Sequence, residues 1–282
     1  MQLITWNIQW GRGVDGVVDL PRIIAHARSM ADFDVLCLQE VADNLPDLAG
    51  SDGSNQFVEL ARLLPGYTII EGIAADIPGD SGRRRRFGNA IATRLPVGRI
   101  TRHILPWPAD TTRSMTRGLI EAVVMAPTGP VRVLTTHLEY FSLKIRQAQV
   151  EAVRGIVFDC LARAVTASEP GQGPYAPHAT PTATVLCGDF NMKPHDAEKA
   201  RLGAPFETES DASGTRLIDA WNALNGEAPH PLSSCIVDQS FEPPHCCDFV
   251  FVSTDLRPRL KSINYDVETR VSDHQPVLLT LA

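Results

Sequence analysis

The 282-residue sequence predicts an α/β protein built on mixed β-sheets. Three observations predict it. Short apolar runs alternate with amphipathic segments along the whole chain. Two of the runs, Leu119–Met125 and Val131–Thr136, flank a Pro-Thr-Gly-Pro turn and read as an antiparallel hairpin. Several intervening segments repeat their apolar residues at helical spacing, so helices and strands interleave.

Taken in order, Leu3–Ile8 is the first strand. Asp19 then caps a helix whose apolar face is Leu20, Ile23, Ile24, Ala27 and Ala31. Val35–Leu38 is a second, buried strand. Ser54 opens a second helix through Phe57, Leu60, Ala61 and Leu64, and Gly66 ends it. Tyr67–Ile73 and Ala90–Thr93 are further strands, and the hairpin follows. A long helix carries Val150, Val153, Val157, Leu161 and Ala164 on one face. Residues 169–181 hold four prolines and two glycines and read as a loop. Strand signals return at 182–188, Phe249–Val252 and Val277–Leu281. Residues 1–282 are expected to close as one domain without internal repeats. Periodicity alone leaves open whether the strands make one sheet or two.

The composition narrows the function classes. At 44% hydrophobic and 21% charged residues, the chain is neither disordered nor of low complexity. It carries 26 Lys and Arg against 33 Asp and Glu, a net charge of −7, so bulk charge does not draw it to nucleic acid or anionic membrane. No apolar run reaches the length of a membrane helix, and residues 1–13 lack the pattern of a secretory signal. The six cysteines show no zinc-type spacing. Cys37 and Cys187 read as core residues, and the adjacent Cys246 and Cys247 are badly placed to bond each other. The expectation is a reduced, cytoplasmic protein, favoured as a monomer.

A pattern recurs at the strand ends. Apolar runs finish or begin at Asn7, Glu40, His137, Asp189 and Asn191, Asp248, and Asp273 with His274. Each has an ordinary role when taken singly: a turn former, a cap, an Asx turn, a satisfied histidine. Together, at strand ends where α/β proteins bind ligands, they argue for one pocket. Oxygen donors dominate, which suits Mg²⁺ or Mn²⁺ better than zinc. Glu40 and Asp273 are the expected holders, with Asn7 or Asp189 adding an oxygen. Two histidines supply proton transfer, and an aspartate bonded to one of them would fix its tautomer. Such a set suits phosphoester hydrolysis.

The motifs TWNI, LQE, GNAI, THLE, GDFN, CDFVFVS and SDHQPV, spread over residues 5–277, give the chain a recognisable pattern. In that order and spacing it resembles the endonuclease/exonuclease/phosphatase superfamily. The resemblance implies a deoxyribonuclease I-like, four-layer αββα sandwich of two packed mixed β-sheets with outer helices. It also implies roles. Asn7, Glu40 and Asp273 fall to the metal side. Asp189 orients or deprotonates the attacking water, and Asn191 contacts the phosphate. His274 is the general base, oriented by Asp248, and His137 stabilises charge on the phosphorane or helps the leaving group. Asn89, Arg117 and Arg146 are candidate substrate contacts, each with a structural role as its alternative. LQEV and His137 depart from the abasic-site endonuclease branch. They fit better with the deoxyribonuclease, sphingomyelinase and small bacterial hydrolase branches.

The substrate is read less directly. The cationic run RRRR at 83–86 precedes GNAI, either as a phosphate grip or as a solvated loop. Trp10 and Trp107 stand in loops, as base-stacking surfaces or as apolar anchors. The first expectation is a metal-dependent phosphodiesterase or nuclease. The second is a phosphatase or phosphodiesterase of a small or lipid-derived phosphoester. The third, a non-catalytic binding protein, fits least, because Glu40, Asp189, Asp273 and His274 are all present.

Overall fold

The computed structural model describes residues 1–166, 169–206 and 216–282. The first sheet takes β1 (Gln2–Asn7), β2 (Val35–Asp43), β3 (Thr68–Pro78) and β4 (Arg84–Thr93). The second takes β5 (Val97–Ile104), β6 (Gly118–Ala126), β7 (Gly129–His137), β8 (Thr184–Asp189), β9 (Leu217–Asp219) and β10 (Asp248–Ser253). The chain then returns to complete the first sheet with β11 (Leu260–Tyr265) and β12 (Val277–Leu281). The strand orders are β11-β12-β1-β2-β4-β3 and β5-β6-β7-β8-β10-β9. Among the described residues only β1/β2 and β7/β8 pair in parallel, so both sheets are mixed.

The central strands read as unbroken apolar runs because both faces are buried. Leu3, Val35, Cys37, Ile91, Val133, Val185, Cys187 and Val250 fill the space between the sheets. Ile4, Leu36 and Leu38 point the other way, under α1 (Leu20–Met30) and α2 (Gln56–Leu63). Leu134, Leu186, Phe249 and Phe251 face outward from the second sheet, under α3 (Leu143–Val165) and α4 (Ala197–Gly203). The four layers follow from these two alternations. A short fifth helix, α5 (Ala220–Asn225), lies beside β9–β11.

The caps follow local chemistry. Asp19 accepts from Arg22 N, and Ser142 opens α3 by accepting from Ile145 N. The second helix starts one residue later than expected: Asn55, not Ser54, accepts from Val58 N. Several strands outrun their apolar cores. β2 continues to Asp43, and β4 begins at Arg84. Most of the arginine run is therefore strand, not loop. Arg83 and Arg86 both reach Asp43, Arg84 meets Asp76, Arg85 meets Asp47 and Asp80, and Arg86 also meets Glu71. The six cysteines are free thiols. Among the described residues, no helix is long and apolar enough to cross a membrane.

Candidate active site

Strand register assembles the site. In the parallel β7/β8 pair His137 stands opposite Asp189, and in the antiparallel β8/β10 pair Asp189 stands opposite Asp248. Three neighbouring strands thus bring a histidine and two carboxylates to one edge. From the other sheet, Asn7 closes β1 opposite Gln39. Glu40, next in line, has φ +62° and sits where the β2/β4 register shifts. A bulge at this point turns the Glu40 side chain out of the strand's alternation.

The two sheets meet at Asn7. Its Nδ2 donates to Glu40 Oε1 at 3.1 Å and to Asp189 Oδ2 at 3.0 Å. Asp189 divides its two oxygens between structure and site. Oδ1 accepts from Asn191 N at 2.9 Å and holds the turn that gives Asn191 its φ of +49°. Oδ2 faces two imidazoles, His137 Nε2 at 3.5 Å and His274 Nε2 at 3.7 Å. Asn191 Nδ2 lies 3.0 Å from His137 Nε2 and donates to Leu138 O.

His274 Nδ1 is 2.9 Å from Asp248 Oδ2, which also accepts from Ser233 Oγ at 2.7 Å. Trp6 Nε1 donates to the His274 carbonyl and fixes the backbone behind the ring. Asp273 accepts from Gln9 Nε2 at 2.6 Å. Gln9, Ser233 and Ser234, the last 3.4 Å from His274 Nε2, escape sequence reasoning. Their chain neighbourhoods carry no signal beyond small polar residues beside the recognisable motifs.

The electrostatics separate the groups. Burial opposes charge on His274, yet Asp248 and Asp189 outweigh it and hold the imidazole well above its ordinary value. Burial, helped by the Arg117 guanidinium, pushes His137 down to about 3, so that ring is neutral. Burial alone would raise Asp189, but His274, the Asn7 amide and the Asn191 backbone N–H bring it below the usual range. Burial and then Asp273 push Glu40 up to about 7, and burial likewise raises Asp273.

Among the described residues Asp189, Cys247 and His274 bring one donor atom each within 4.8 Å of one another, a group able to hold a metal ion. Burial and two carboxylates raise the Cys247 thiol well above its ordinary value, so it stays protonated and suits a hard cation poorly.

A cleft of about 620 Å³ opens onto Glu40, His137, Asp189, Asn191, Asp273 and His274. Asn7 and Asp248 support it from behind, buried to 1% exposure each. Of the three candidate substrate contacts, only Arg117 lines it. Its Nε is 3.6 Å from Glu139 Oε2, an oxygen with no hydrogen-bond partner. Asn89 does not reach the cleft: it is buried and donates to Gly118 O, tying β4 to β6. Arg146 also lies outside it, holding the carbonyls of Glu139 and Tyr140 at 3.0 Å each. Trp10 lines the cleft, with its indole bonded to Ala49 O, whereas Trp107 is exposed and donates to Ser114 Oγ.

Comparison with known proteins agrees with this fold. The model of the Endonuclease/Exonuclease/phosphatase family matches residues 4–274. No curated protein matches the chain. Among solved structures, an endonuclease/exonuclease/phosphatase from Beutenbergia cavernae is similar at 25% identity and a TM-score of 0.70, over 100% of this chain and 72% of that one. The mannosyl-6-phosphatase of Bacteroides thetaiotaomicron superposes with a TM-score of 0.65 at 18% identity, over 100% and 99% of the two chains. D. rerio TDP2 complexed with single-strand DNA product does so with a TM-score of 0.62 at 17% identity, over 100% and 98%. The last two show the shared fold.

Proposed function

This chain belongs to the endonuclease/exonuclease/phosphatase family, and we propose that it is a divalent-metal-dependent phosphoester hydrolase, in the first place a phosphodiesterase. One observation carries the reading: Asp189 Oδ2 lies between His137 Nε2 and His274 Nε2, at 3.5 and 3.7 Å, while Asp248 steadies the far side of His274. A water held there has a base, an orienting carboxylate and a neutral imidazole around it.

The donor set fits a hard cation. Glu40 and Asp273 repel each other in a buried setting, and among the described residues neither pairs with Lys or Arg. Glu40 and Asp273 would hold Mg²⁺ or Mn²⁺, with Asn7 spanning Glu40 and Asp189 beside them. When bound, such an ion supplies charge neutralisation at a phosphate oxygen.

The protein's own groups then divide the work. Asp189, ionised, orients water toward phosphorus. His274 accepts the proton at Nε2 when the ring is neutral, a form that its raised pKa shifts toward alkaline pH, and Asp248 stabilises the resulting imidazolium at Nδ1. His137 remains neutral and serves as a hydrogen-bonding group toward the phosphoryl oxygens or the leaving group, with Asn191 beside it. Arg117 is the cation placed to meet the phosphate.

Room beyond the main cleft supports a diester. A second cavity of about 300 Å³ shares Gln9, Trp10, Ser234, Cys235, Phe241 and Asp273 with the main cleft. The paired state of Arg83–Arg86 favours a second reading, a phosphatase or phosphodiesterase of a small phosphoester, over one that grips a polymer. The test is hydrolysis of bis-p-nitrophenyl phosphate and p-nitrophenyl phosphate with Mg²⁺, Mn²⁺ or EDTA. Metal-dependent release from the diester is the expected result. Release from the monoester alone would move the assignment to a phosphatase, and release unaffected by EDTA would remove the metal.

A further inference from the structure

We propose that the cleft takes a phosphoester carrying a planar aromatic group on its non-leaving side, seated against Trp10 and Phe241. This rests on the hydrolase reading above and adds the substrate class to it.

The balance of charge and aromatic surface carries the argument. Trp10, Phe87, Tyr140, Phe141 and Phe241 line the cleft, against two cations, Arg113 and Arg117, and no lysine. A polynucleotide track needs a basic stripe along its length. The one cationic run in the sequence is instead bonded to Asp43, Asp47, Glu71, Asp76 and Asp80. The cleft therefore offers positive charge for a single phosphate and aromatic surface for the rest of the ligand.

Trp10 is held for such a contact. Gln9, Trp10 and Gly11 follow one another with φ of +44°, +45° and +78°, an unfavourable backbone for the first two. The strain is locked from behind. Gln56 Nε2 donates to Trp10 O at 2.7 Å, and the indole Nε1 donates to Ala49 O at 3.0 Å. The indole thus forms a fixed wall of both cavities, with its hydrogen-bonding edge already satisfied and its carbon surface left for stacking. Phe241, which lines the same two cavities, is 73% exposed, a costly position for a phenyl ring unless a ligand covers it. Arg113 Cζ lies over Phe141, 3.9 Å from the ring centroid, and the side chain makes no ion pair among the described residues. Its nitrogens remain available to a phosphate.

The test compares ethyl, hexyl and phenyl p-nitrophenyl phosphate, which share one leaving group and differ only in the other ester. The expected result is a kcat/KM for the phenyl ester about tenfold above the ethyl ester, a preference that Trp10→Ala and Phe241→Ala each largely abolish. Thermal melts check the fold, and Phe241, being exposed, gives a variant with no packing to lose. A hexyl ester as good as the phenyl ester assigns the surface to an alkyl chain and overturns the proposal. So does an oligonucleotide preferred over all three. Calorimetric binding of phenylphosphonate and ethylphosphonate in Mg²⁺ separates the two layers of inference. Tighter phenylphosphonate binding that depends on Trp10, in a protein that hydrolyses none of the esters, refutes the hydrolase reading and keeps the aromatic site. Equal binding of the two phosphonates refutes the site.

Discussion

His274 Nδ1 lies 2.9 Å from Asp248 Oδ2, and the pair is closed to solvent at the aspartate end and open to the cleft at the imidazole end. On the proposed reading His274 is the base and Asp248 its support. His274→Ala should lower kcat by about 10³, and Asp248→Asn by about 10², with both variants folded by circular dichroism. A His274→Ala enzyme within tenfold of wild type would move the base elsewhere, Asp189 being next.

Glu40 is aimed by a bulge and raised in pKa by its surroundings, which supports its proposed place in the metal set. Glu40→Gln removes the charge and keeps the shape. The Mg²⁺ concentration for half-maximal activity should rise about tenfold or more, and calorimetry of Mg²⁺ binding to the variant should weaken in step. An unchanged titration would take Glu40 out of the metal set.

Gly188 precedes Asp189 with φ +139°, and a Cβ there would stand 2.0 Å from the Thr136 carbonyl oxygen on the adjacent strand. Backbone meets backbone, so no side chain can swing away. Gly188→Ala should cost about 3 kcal/mol or more in a denaturant melt and lower kcat by displacing Asp189. A variant as stable as wild type would mean that β7 and β8 separate without penalty.

Asp219 lies outside the cleft and gives a pH prediction free of the metal. Its Oδ2 is 2.8 Å from both Lys199 Nζ and His230 Nε2, and its Oδ1 caps α5. Burial works to raise its pKa, but His230 and Lys199 outweigh burial and leave it below the ordinary 3.8. A depressed carboxylate stabilises the fold above its unfolded pKa and loses that contribution as pH falls through the folded value. Asp219→Asn should therefore cost about 2 kcal/mol near neutral pH, and its gap to wild type should narrow below about pH 4. A gap constant with pH would show that the charge of Asp219 contributes nothing.

The sequence announced the fold where burial writes a pattern. Strands covered on both faces, such as β1 and β8, were plain, and so were the faces of α1 and α3. The half-exposed strand β5 was not, because Arg99, Arg102 and His103 interrupt its apolar residues. The arginines of β4 misled for a related reason: the acids that make them strand residues come from positions 43, 47, 71, 76 and 80. In the site, the strand-end carboxylates and histidines were legible as a set. Gln9 on Asp273, Ser233 on Asp248 and the turning of Glu40 were not, since each depends on contacts or backbone angles that a linear pattern does not encode.

The bond from Asn7 to Asp189 joins residues 182 positions apart and ties one sheet to the other at the point where chemistry is expected. The proposed site is divided between the sheets: the first holds Glu40, the second holds His137 and Asp248, and its geometry exists only when the two faces dock. Activity is then a gauge of sheet docking itself. In a urea titration, turnover and the near-ultraviolet signal of the core should vanish along one curve, and a partly folded chain with either sheet intact should be silent.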